Sequence, residues 1–325
     1  MIFEASRRVN VAKTGLSIPS ICFGGSALGD MPTTYGYSVD DTRARATIDA
    51  IFDSPFGFID TSRNYGMGRS EERIGAAIKA RGGQPKGFVI SSKLDRNMDS
   101  MVFDGSQARR SLEGSLKALG VDHIPLLHLH DPEYAADLSQ VTGPRGAIAE
   151  LMRMKEEGLV TAIGLAAGKV DIMLPLLRDF DFDALISHNR YTLLNRNARA
   201  MFEFAHGRGM AVMNAAPYAS GILSKGAAAM PLYAYQPADA EIVARVKKIE
   251  ALCAEHGVPL GAAALQFSMR DPLVASTVVG VTSPERVKQT LEWAALPIPE
   301  ALWAALLALP FDAGDPEAKR VYNPG

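Results

Sequence analysis

Short apolar runs alternate along the chain with longer segments in which apolar residues recur every three or four positions. The short runs are typical of buried strands, and the longer segments have the period of amphipathic helices. The predicted strands cover residues 21–25, 57–60, 88–92, 124–130, 160–165, 184–188, 210–214 and 276–280. Strands that alternate with helices in this way form a parallel sheet covered by helices.

The number and order of these elements favour a closed (β/α)8 barrel, the TIM barrel, over an open doubly wound sheet. A helical segment follows each predicted strand, and no long Pro- or Ser-rich linker divides the chain. We therefore expect residues 1–325 to form a single domain. Residues 6–20, with a turn at Thr14-Gly15, predict a β-hairpin that caps the N-terminal end of the barrel, and the C-terminal stretch predicts extra helices.

Composition and charge favour a protein that binds a small molecule. The formal net charge is -2 at pH 7, so no basic excess attracts nucleic acid or an anionic membrane surface. Because neither a signal-peptide pattern nor an apolar run of membrane-spanning length is present, we expect a cytoplasmic protein. Cys22 and Cys253 lie far apart in apolar surroundings and are expected to be reduced and buried. The pattern does not indicate an oligomeric state.

Chemically active side chains follow two consecutive predicted strands, at the end where barrel enzymes carry their catalytic groups. Asp60 closes one run, Tyr65 follows it in DTSRNYG, and Lys93 comes directly after the next run. A neighbouring ammonium lowers the pKa of a phenol, and a carboxylate holds that ammonium in place. The trio therefore predicts a tunable proton donor and acceptor, although each residue alone fits a helix cap, a surface lysine or a core tyrosine equally well.

Two histidines share one face of the fourth predicted strand because they are two residues apart. His130 ends this strand beside Asp131, where it could orient a substrate oxygen or pass a proton. A metal site is the alternative, since a His-x-His pair beside a carboxylate resembles the first ligands of amidohydrolase barrels. Those barrels carry the pair on the first strand, so we expect no metal here and expect His128 to be a core residue.

Gly24-Gly25 and the segments DTSRNYG, SSK and HLHD together resemble the aldo-keto reductase family. Further similar segments follow in order over nearly the whole chain: KEEGLVTAIGL, NRYTLLNR, APYASGIL and VVGVTSPERV. The resemblance implies that Tyr65 is the general acid and base and that Lys93 lowers its pKa. It also implies that Asp60 supports Lys93 and that His130 orients the substrate oxygen.

Within the family, the chain is most similar to the D-threo-aldose 1-dehydrogenases, with L-fucose, L-galactose and pyridoxal dehydrogenases as relatives. This similarity implies an NAD(P)-dependent oxidoreductase that oxidises the anomeric hydroxyl of a sugar lactol to a lactone. The L-fucose, L-galactose and D-arabinose types are equally compatible with the sequence. The alternatives are a pyridoxal 4-dehydrogenase, an NADPH-dependent aldehyde or ketone reductase and, more distantly, a cofactor-sensing accessory subunit.

The resemblance also implies residues for cofactor and substrate. Those implied for the cofactor are Gly24, Gly25, His188, Asn189, Pro217, Tyr218, Ser220, Gly221, Leu223, Gly280, Thr282, Ser283 and Arg286. Those expected at the substrate are Tyr35, Asp131, Tyr134 and Tyr191, whereas Trp293 and Trp303 are expected to pack in the core. Gly280 stands where NADPH-dependent members commonly place a Lys, so NAD is the expected cofactor, and Arg286 keeps NADP as the alternative.

Overall fold

The strands of the protein form one closed barrel and two short hairpins. The structure is a computed structural model that describes residues 7–320. Its strands are β1 (Arg8–Asn10), β2 (Ser17–Pro19), β3 (Ile21–Gly24), β4 (Phe58–Asp60), β5 (Val89–Leu94), β6 (Ile124–His130), β7 (Val160–Ala167), β8 (Ala184–His188), β9 (Ala211–Ala215), β10 (Leu232–Tyr233), β11 (Gln236–Pro237) and β12 (Ser276–Gly280). Strands β3 to β9 and β12 are parallel, and the barrel closes because β12 pairs with both β3 and β9.

Helices surround this barrel, which confirms the predicted (β/α)8 fold. They are α1 (Pro32–Tyr35), α2 (Asp41–Phe52), α3 (Arg69–Ala80), α4 (Gly105–Leu119), α5 (Ser139–Thr142), α6 (Ala147–Glu156), α7 (Val170–Asp179), α8 (Arg199–Gly207), α9 (Ile222–Lys225), α10 (Ala240–Glu255), α11 (Leu260–Met269), α12 (Pro284–Ala295) and α13 (Glu300–Leu307). Short 3-10 helices lie at Ser26–Gly29, Pro132–Tyr134 and Ala219–Gly221. Helix α13 follows the eighth barrel helix and is the additional C-terminal helix that the sequence predicts.

Aspartate side chains fix where three of the long helices begin. Asp40, Asp104 and Asp239 accept a hydrogen bond from a backbone amide in the first turn of α2, α4 and α10, respectively. Such a cap satisfies one of the amides that a helix start leaves without a partner. The loops that precede α2 and α4 run over the C-terminal end of the barrel, so the caps also fix the ends of those loops.

The hairpin of β1 and β2 closes the N-terminal end of the barrel. Val11 and Ile18 are fully buried and pack in the same apolar cluster as the inward-facing residues Phe58, Val89 and Leu126. The predicted hairpin cap is therefore confirmed for β1 and β2, which pair antiparallel. Residue 6, the first of the predicted hairpin, lies outside the described residues, as do the other residues before 7 and those after 320.

A second, larger apolar cluster lies between the strands and the surrounding helices. Cys253 and Trp303 belong to this cluster, and Cys22 faces the barrel interior. Both cysteines are free and buried, as the sequence predicts. Between residues 7 and 320, no helix combines the length and the apolar character that crossing a bilayer requires.

Candidate active site

A cavity of about 570 Å³ opens where the barrel strands end at their C-termini. This is the end of a (β/α)8 barrel where loops after the strands build ligand sites. The four residues predicted for catalysis all line it: Asp60, Tyr65, Lys93 and His130. Residues that are more than 60 positions apart in the sequence therefore meet at one place, because neighbouring parallel strands end side by side.

Lys93 and Asp60 form a buried ion pair at the base of the cavity. The ammonium nitrogen lies 2.6 Å from Asp60 Oδ2 and donates a second hydrogen bond of 2.7 Å to the carbonyl oxygen of Thr61. The other carboxylate oxygen of Asp60 accepts from the hydroxyl of Ser91 at 2.8 Å. Both charges are only 2–3% exposed, and these hydrogen bonds compensate for their removal from water.

Tyr65 lies in a tight turn after β4 that a glycine contact holds in place. Gly66 has a φ of +63°, and a Cβ at this position would lie 1.9 Å from the carbonyl oxygen of Gly29. Only glycine fits so close an approach in the left-handed region. The turn brings the Tyr65 ring under the ammonium of Lys93, which lies 4.6 Å from the ring centroid.

The phenol of Tyr65 has a pKa well above its ordinary value. Burial is the largest cause, and the negative charge of Asp60 adds to it, with smaller contributions from Tyr35, Asp131 and Asp95. The ammonium of Lys93 lies over the face of the ring and donates its hydrogen bonds to Asp60 and Thr61. The phenol therefore holds its proton at rest, and the contribution of Lys93 to the Tyr65 pKa stays a prediction.

His130 is held from one side by a carboxylate that sequence reasoning missed. Its Nδ1 lies 2.6 Å from Oδ1 of Asp95, and the ring meets the Tyr65 ring edge to face with a centroid distance of 5.9 Å. Burial alone lowers the pKa of His130, but the charges of Asp131 and Asp95 and the hydrogen bond to Asp95 raise it above its ordinary value. A signal was available in the sequence, because Asp95 follows Lys93 by two residues and so shares its side of the strand.

His128 differs from His130 although both lie on β6 and face the same way. Its Nδ1 lies 3.2 Å from the hydroxyl of Ser91, and its side chain is fully buried. Burial and the charge of Lys93 hold its pKa well below the ordinary value, so the ring is neutral. His128 is the core residue that the sequence predicts.

Nine of the residues implied for a cofactor line the cavity: Gly24, His188, Pro217, Tyr218, Ser220, Gly221, Gly280, Thr282 and Arg286. The other four lie behind this lining. Gly25 is hydrogen-bonded through its amide to Asp60 O and through its carbonyl to Ser70, and Leu223 is fully buried in the core. Ser283 is the N-cap residue of α12 and is 8% exposed.

The fourth residue behind the lining, Asn189, belongs to a cluster that fastens the C-terminal segment to the barrel. Its side-chain amide donates to Glu317 Oε1 at 3.0 Å, and Arg190 donates to the same oxygen at 3.0 Å. His188 Nε2 lies 3.1 Å from this oxygen, and Arg320 donates to the other oxygen of Glu317 at 2.7 Å. This cluster holds the segment around residues 315–320 against the barrel, and Arg320 of this segment lines the cavity.

Comparison with known proteins agrees with this geometry. The family model described as the Aldo/keto reductase family matches residues 20–309. The chain belongs to the aldo-keto reductase family. Its resemblance to this family, predicted from the sequence, is therefore confirmed. Members of the family are oxidoreductases that use nicotinamide cofactors and act on small molecules.

Individual relatives of this aldo-keto reductase agree with the assignment. D-threo-aldose 1-dehydrogenase of a Pseudomonas species is 33% identical over 91% of this chain and 95% of its own. Pyridoxal 4-dehydrogenase of Microbacterium luteolum is 29% identical over 94% of this chain and 98% of its own. Among solved structures, an aldo-keto reductase of Bacillus halodurans has a TM-score of 0.76 and 20% identity, and covers 97% of this chain and 100% of its own. This last likeness concerns the fold alone.

Two of the four residues predicted for substrate binding line the cavity of this aldo-keto reductase, and two do not. Tyr35 and Asp131 line it. Tyr191 is 2% exposed, donates its hydroxyl proton to Asp271 and packs its ring against Phe202. Tyr134 packs against cationic side chains outside the lining, with the guanidinium of Arg96 5.3 Å from its ring. The substrate-binding interpretation is therefore wrong for Tyr134 and Tyr191, since their rings pack against neighbouring side chains and do not line the cavity.

Aromatic and cationic residues that the sequence did not single out complete the mouth of the cavity. Tyr37 stacks on Tyr35 with a centroid distance of 5.8 Å, and Tyr235 lies 6.5 Å from Tyr35. Trp293 packs against the apolar core, as the sequence predicts, and it also meets Tyr218 edge to face at 6.0 Å and lines the cavity. Besides Lys93, the cationic lining residues are Arg43, Lys225, Arg286 and Arg320, of which the sequence analysis named only Arg286. They come from four separate segments, so no local pattern indicates that they meet.

Proposed function

We propose that this protein is a nicotinamide-dependent aldose 1-dehydrogenase that oxidises the anomeric hydroxyl of a sugar lactol to a lactone. The observation that carries the proposal is the meeting of Tyr65, the Lys93–Asp60 ion pair and His130 in one cavity. Its substrate class rests on the relative that is named D-threo-aldose 1-dehydrogenase and is 33% identical over 91% of this chain. The reaction removes a hydride from the anomeric carbon and a proton from its hydroxyl.

The lining of the cavity suits a nicotinamide dinucleotide. Positive φ angles occur at Ala216, Ala219, Ser220 and Gly221 in the loop after β9, and such backbone turns successive amides toward an anion. Helix α12 begins beside this loop, and the side chain of its N-cap residue does not cap it, so its first amides are available to a phosphate. When bound, the dinucleotide accepts the hydride in oxidation and supplies it in reduction.

Tyr65 handles the proton in this proposal. It takes the proton of the lactol hydroxyl when the sugar is oxidised, and it returns a proton to oxygen when a carbonyl is reduced. Because its pKa is raised by burial and by Asp60, the resting phenol is the acid form, and oxidation needs the small deprotonated fraction. The Lys93–Asp60 pair orients the ring by holding the ammonium 4.6 Å from its centroid.

His130 acts on the same substrate oxygen as Tyr65. Its Nδ1 is taken by Asp95, so Nε2 is the nitrogen that serves the cavity. An N–H donor fixed in place before the reaction stabilises an oxygen on which negative charge develops. Asp131, whose carboxylate lies 3.8 Å from His130 Nε2, is the acceptor on this side of the cavity for a further sugar hydroxyl.

A dehydrogenase screen tests the substrate class. The purified protein is given NAD or NADP with L-fucose, L-galactose, D-arabinose or pyridoxal, and formation of the reduced nicotinamide is followed by its absorbance. We expect turnover with at least one of the sugars and lactone as the product. Turnover with pyridoxal and with none of the sugars would replace the proposal by a pyridoxal 4-dehydrogenase, a reaction named for the relative that is 29% identical.

NAD is the proposed cofactor because Gly280 gives no cation at the end of β12, and a Cβ there would point into open space. A second candidate is NADP, and with it an aldehyde or ketone reductase. Two guanidinium groups favour this candidate: Arg43 of α2 and Arg286 of α12 both line the cavity. Burial raises the pKa of Tyr37 to about 12, and the charges of Arg43 and Arg286 act against this rise, so both cations lie near that phenol.

Cofactor affinity separates the two candidates without any turnover. Dissociation constants for NADH and NADPH are measured by fluorescence in the wild type and in Arg43→Ala and Arg286→Ala. If the cofactor is NAD, NADH binds more tightly and neither variant weakens it by more than about twofold. If the cofactor is NADP, at least one of the two variants weakens the binding of NADPH, but not that of NADH, by about tenfold or more. This is the effect of losing a hydrogen bond to a charged group.

A further inference from the structure

The carboxylate of Asp95 is buried in the active site, where it contacts Nδ1 of His130 and can also set the charge of that ring. It is 3% exposed and lies directly after β5. Oδ1 lies 2.6 Å from Nδ1 of His130, and Oδ2 accepts hydrogen bonds of 2.6 Å from the hydroxyl of Ser62 and 2.9 Å from the amide of Asn64. A buried carboxylate needs a compensating cation or several donors, and both donors to Oδ2 are neutral.

The backbone holds this carboxylate in a fixed position. The amide of Asp95 donates to the hydroxyl of Ser111 at 2.9 Å, and the side chain of Gln107 donates to its carbonyl oxygen at 3.0 Å. Both partners belong to α4, which packs on the outside of β5. Strands β5 and β6 are neighbours in a register that pairs Lys93 with His128, so Asp95, two residues further along, comes level with His130.

Charged and titratable groups from neighbouring strands and loops lie around the His130 ring. Asp95 contacts Nδ1, and Oδ2 of Asp131 lies 3.8 Å from Nε2. Lys93 on β5 and His128 on β6 act against a positive charge on the ring, and Tyr65 presents an edge-to-face ring at 5.9 Å. The two carboxylates outweigh burial and Lys93, so the pKa of His130 is raised.

We propose that Asp95 is a positioning residue that keeps His130 as an imidazolium ion, with Nδ1–H on the carboxylate and Nε2–H turned toward the cavity. The hydrogen bond that one ring nitrogen makes decides the state and direction of the other. A cationic donor stabilises a substrate oxygen that gains negative charge more than a neutral imidazole does. The identity of that oxygen rests on the proposed function, whereas the state of the histidine does not.

Histidine NMR of the protein labelled with ¹⁵N and ¹³C in its histidines tests this proposal without substrate. His130→Gln assigns the signal, and the variant Asp95→Asn keeps a hydrogen-bond acceptor of similar shape but removes the charge. The control is Asp99→Asn, an exposed carboxylate in the same loop. We expect His130 to keep its proton to higher pH than an ordinary histidine in the wild type and in Asp99→Asn, and to lose it at lower pH in Asp95→Asn.

Activity gives a second measurement once a substrate is known. In Asp95→Asn, kcat/KM at neutral pH falls by about 10-fold or more, part of the 100- to 10,000-fold that a positioned acid or base contributes. In the pH profile of kcat/KM, the pH at which loss of the His130 proton takes effect shifts in the same direction as the NMR titration. A general loss of structure would leave that pH unchanged. The melting temperatures of the wild type, Asp95→Asn and Asp99→Asn show separately whether structure has been lost.

Two results would overturn the proposal: the same His130 titration in Asp95→Asn as in the wild type, or a wild-type His130 that titrates below an ordinary histidine. The second needs no variant, so the proposal can be refuted even if Asp95→Asn does not fold. If no sugar is oxidised but His130 titrates as expected, the proposed function fails and the role of Asp95 stands.

Discussion

The two ends of the barrel are built from the same strands but contain opposite kinds of side chains. At the closed end, the inward-facing residues Phe58 of β4, Val89 of β5 and Leu126 of β6 pack against the hairpin. Two to four residues further along, the inward positions of these strands hold Asp60, Lys93, His128 and His130. Alternate residues of a strand face the same side. A few positions along each strand therefore separate the apolar cluster under the hairpin from the cluster of buried charges.

This difference shows how the barrel separates stability from chemistry. The hairpin end removes apolar area from water, which is the main favourable contribution to folding. The open end places an ammonium, two carboxylates and two imidazoles in a buried site, where each group depends on its partner. Substitutions at the closed end should therefore change the free energy of unfolding, and substitutions at the open end should change turnover or leave a charge without its partner.

The largest expected effect comes from the hydroxyl at the open end. Tyr65→Phe should lower kcat by about 100-fold or more, the loss expected for a general acid and base, with little change in melting temperature. The matched control is Tyr191→Phe, which removes the hydroxyl of a buried tyrosine outside the cavity and should leave kcat within about twofold. Equal turnover in the two variants would assign the proton transfer to another group.

The next effect tests whether the buried pair at the open end also bears on folding. Lys93→Met leaves Asp60 buried without its cation and should lower the free energy of unfolding by about 3–5 kcal/mol, in addition to reducing turnover. The double variant Asp60→Asn with Lys93→Met removes the orphaned charge, so it should recover most of the stability in a urea titration but none of the turnover. If Lys93→Met alone had the same free energy of unfolding as the wild type, Lys93 would not be compensating the buried charge of Asp60.

The closed end should respond in the opposite way. Ile18 is fully buried in the apolar cluster between the hairpin and the barrel. Ile18→Ala should lower the free energy of unfolding by about 2–4 kcal/mol through lost burial and the cavity left behind. At a temperature where the variant is folded, its kcat should equal that of the wild type. A lower kcat with unchanged stability would mean that the two ends are not separate.

The last effect, which is small over any one pH unit, concerns the pH dependence of the open end. Oxidation needs deprotonated Tyr65, and burial and Asp60 raise the pKa of this phenol, so its deprotonated fraction grows as pH rises. As long as the pH is below the pKa values of both Tyr65 and His130, kcat/KM for sugar oxidation should therefore increase by about tenfold per pH unit, and it should level off where His130 loses its proton. A kcat/KM for sugar oxidation that falls as the pH rises toward the His130 titration would contradict the raised pKa of Tyr65.

The sequence predicted the barrel and the positions of the four catalytic candidates, Asp60, Tyr65, Lys93 and His130, because both follow from local patterns. Apolar runs of strand length, each followed by a helical segment, specify the fold. The ends of those strands meet at one place in a closed barrel, so Asp60, Lys93 and His130 could be placed together from their positions alone. The hairpin was predictable for the same reason, since its turn and its apolar residues are adjacent in the sequence.

The sequence did not predict features that depend on which groups meet across the fold. The direction of the Tyr65 pKa depends on how deeply the phenol is buried and on the charge of Asp60 beside it, and the strand pattern does not contain that information. Tyrosines have an apolar ring and a polar end, so sequence position could not distinguish Tyr35 at the cavity from Tyr191 against Phe202. Arg320 reaches the cavity because Glu317 fastens the C-terminal segment to the end of β8.

The central claim is that the cavity at the open end transfers the anomeric hydrogen of a lactol as a hydride. The most direct measurement supplies L-fucose, L-galactose and D-arabinose, each carrying deuterium at C1, together with the oxidised cofactor, and analyses the reduced cofactor by mass spectrometry. The account predicts one deuterium in the reduced cofactor and an unlabelled lactone with at least one sugar, and neither product with Tyr65→Phe on the same timescale. A reduced cofactor without deuterium, or no reduction with any of the three sugars, would contradict it.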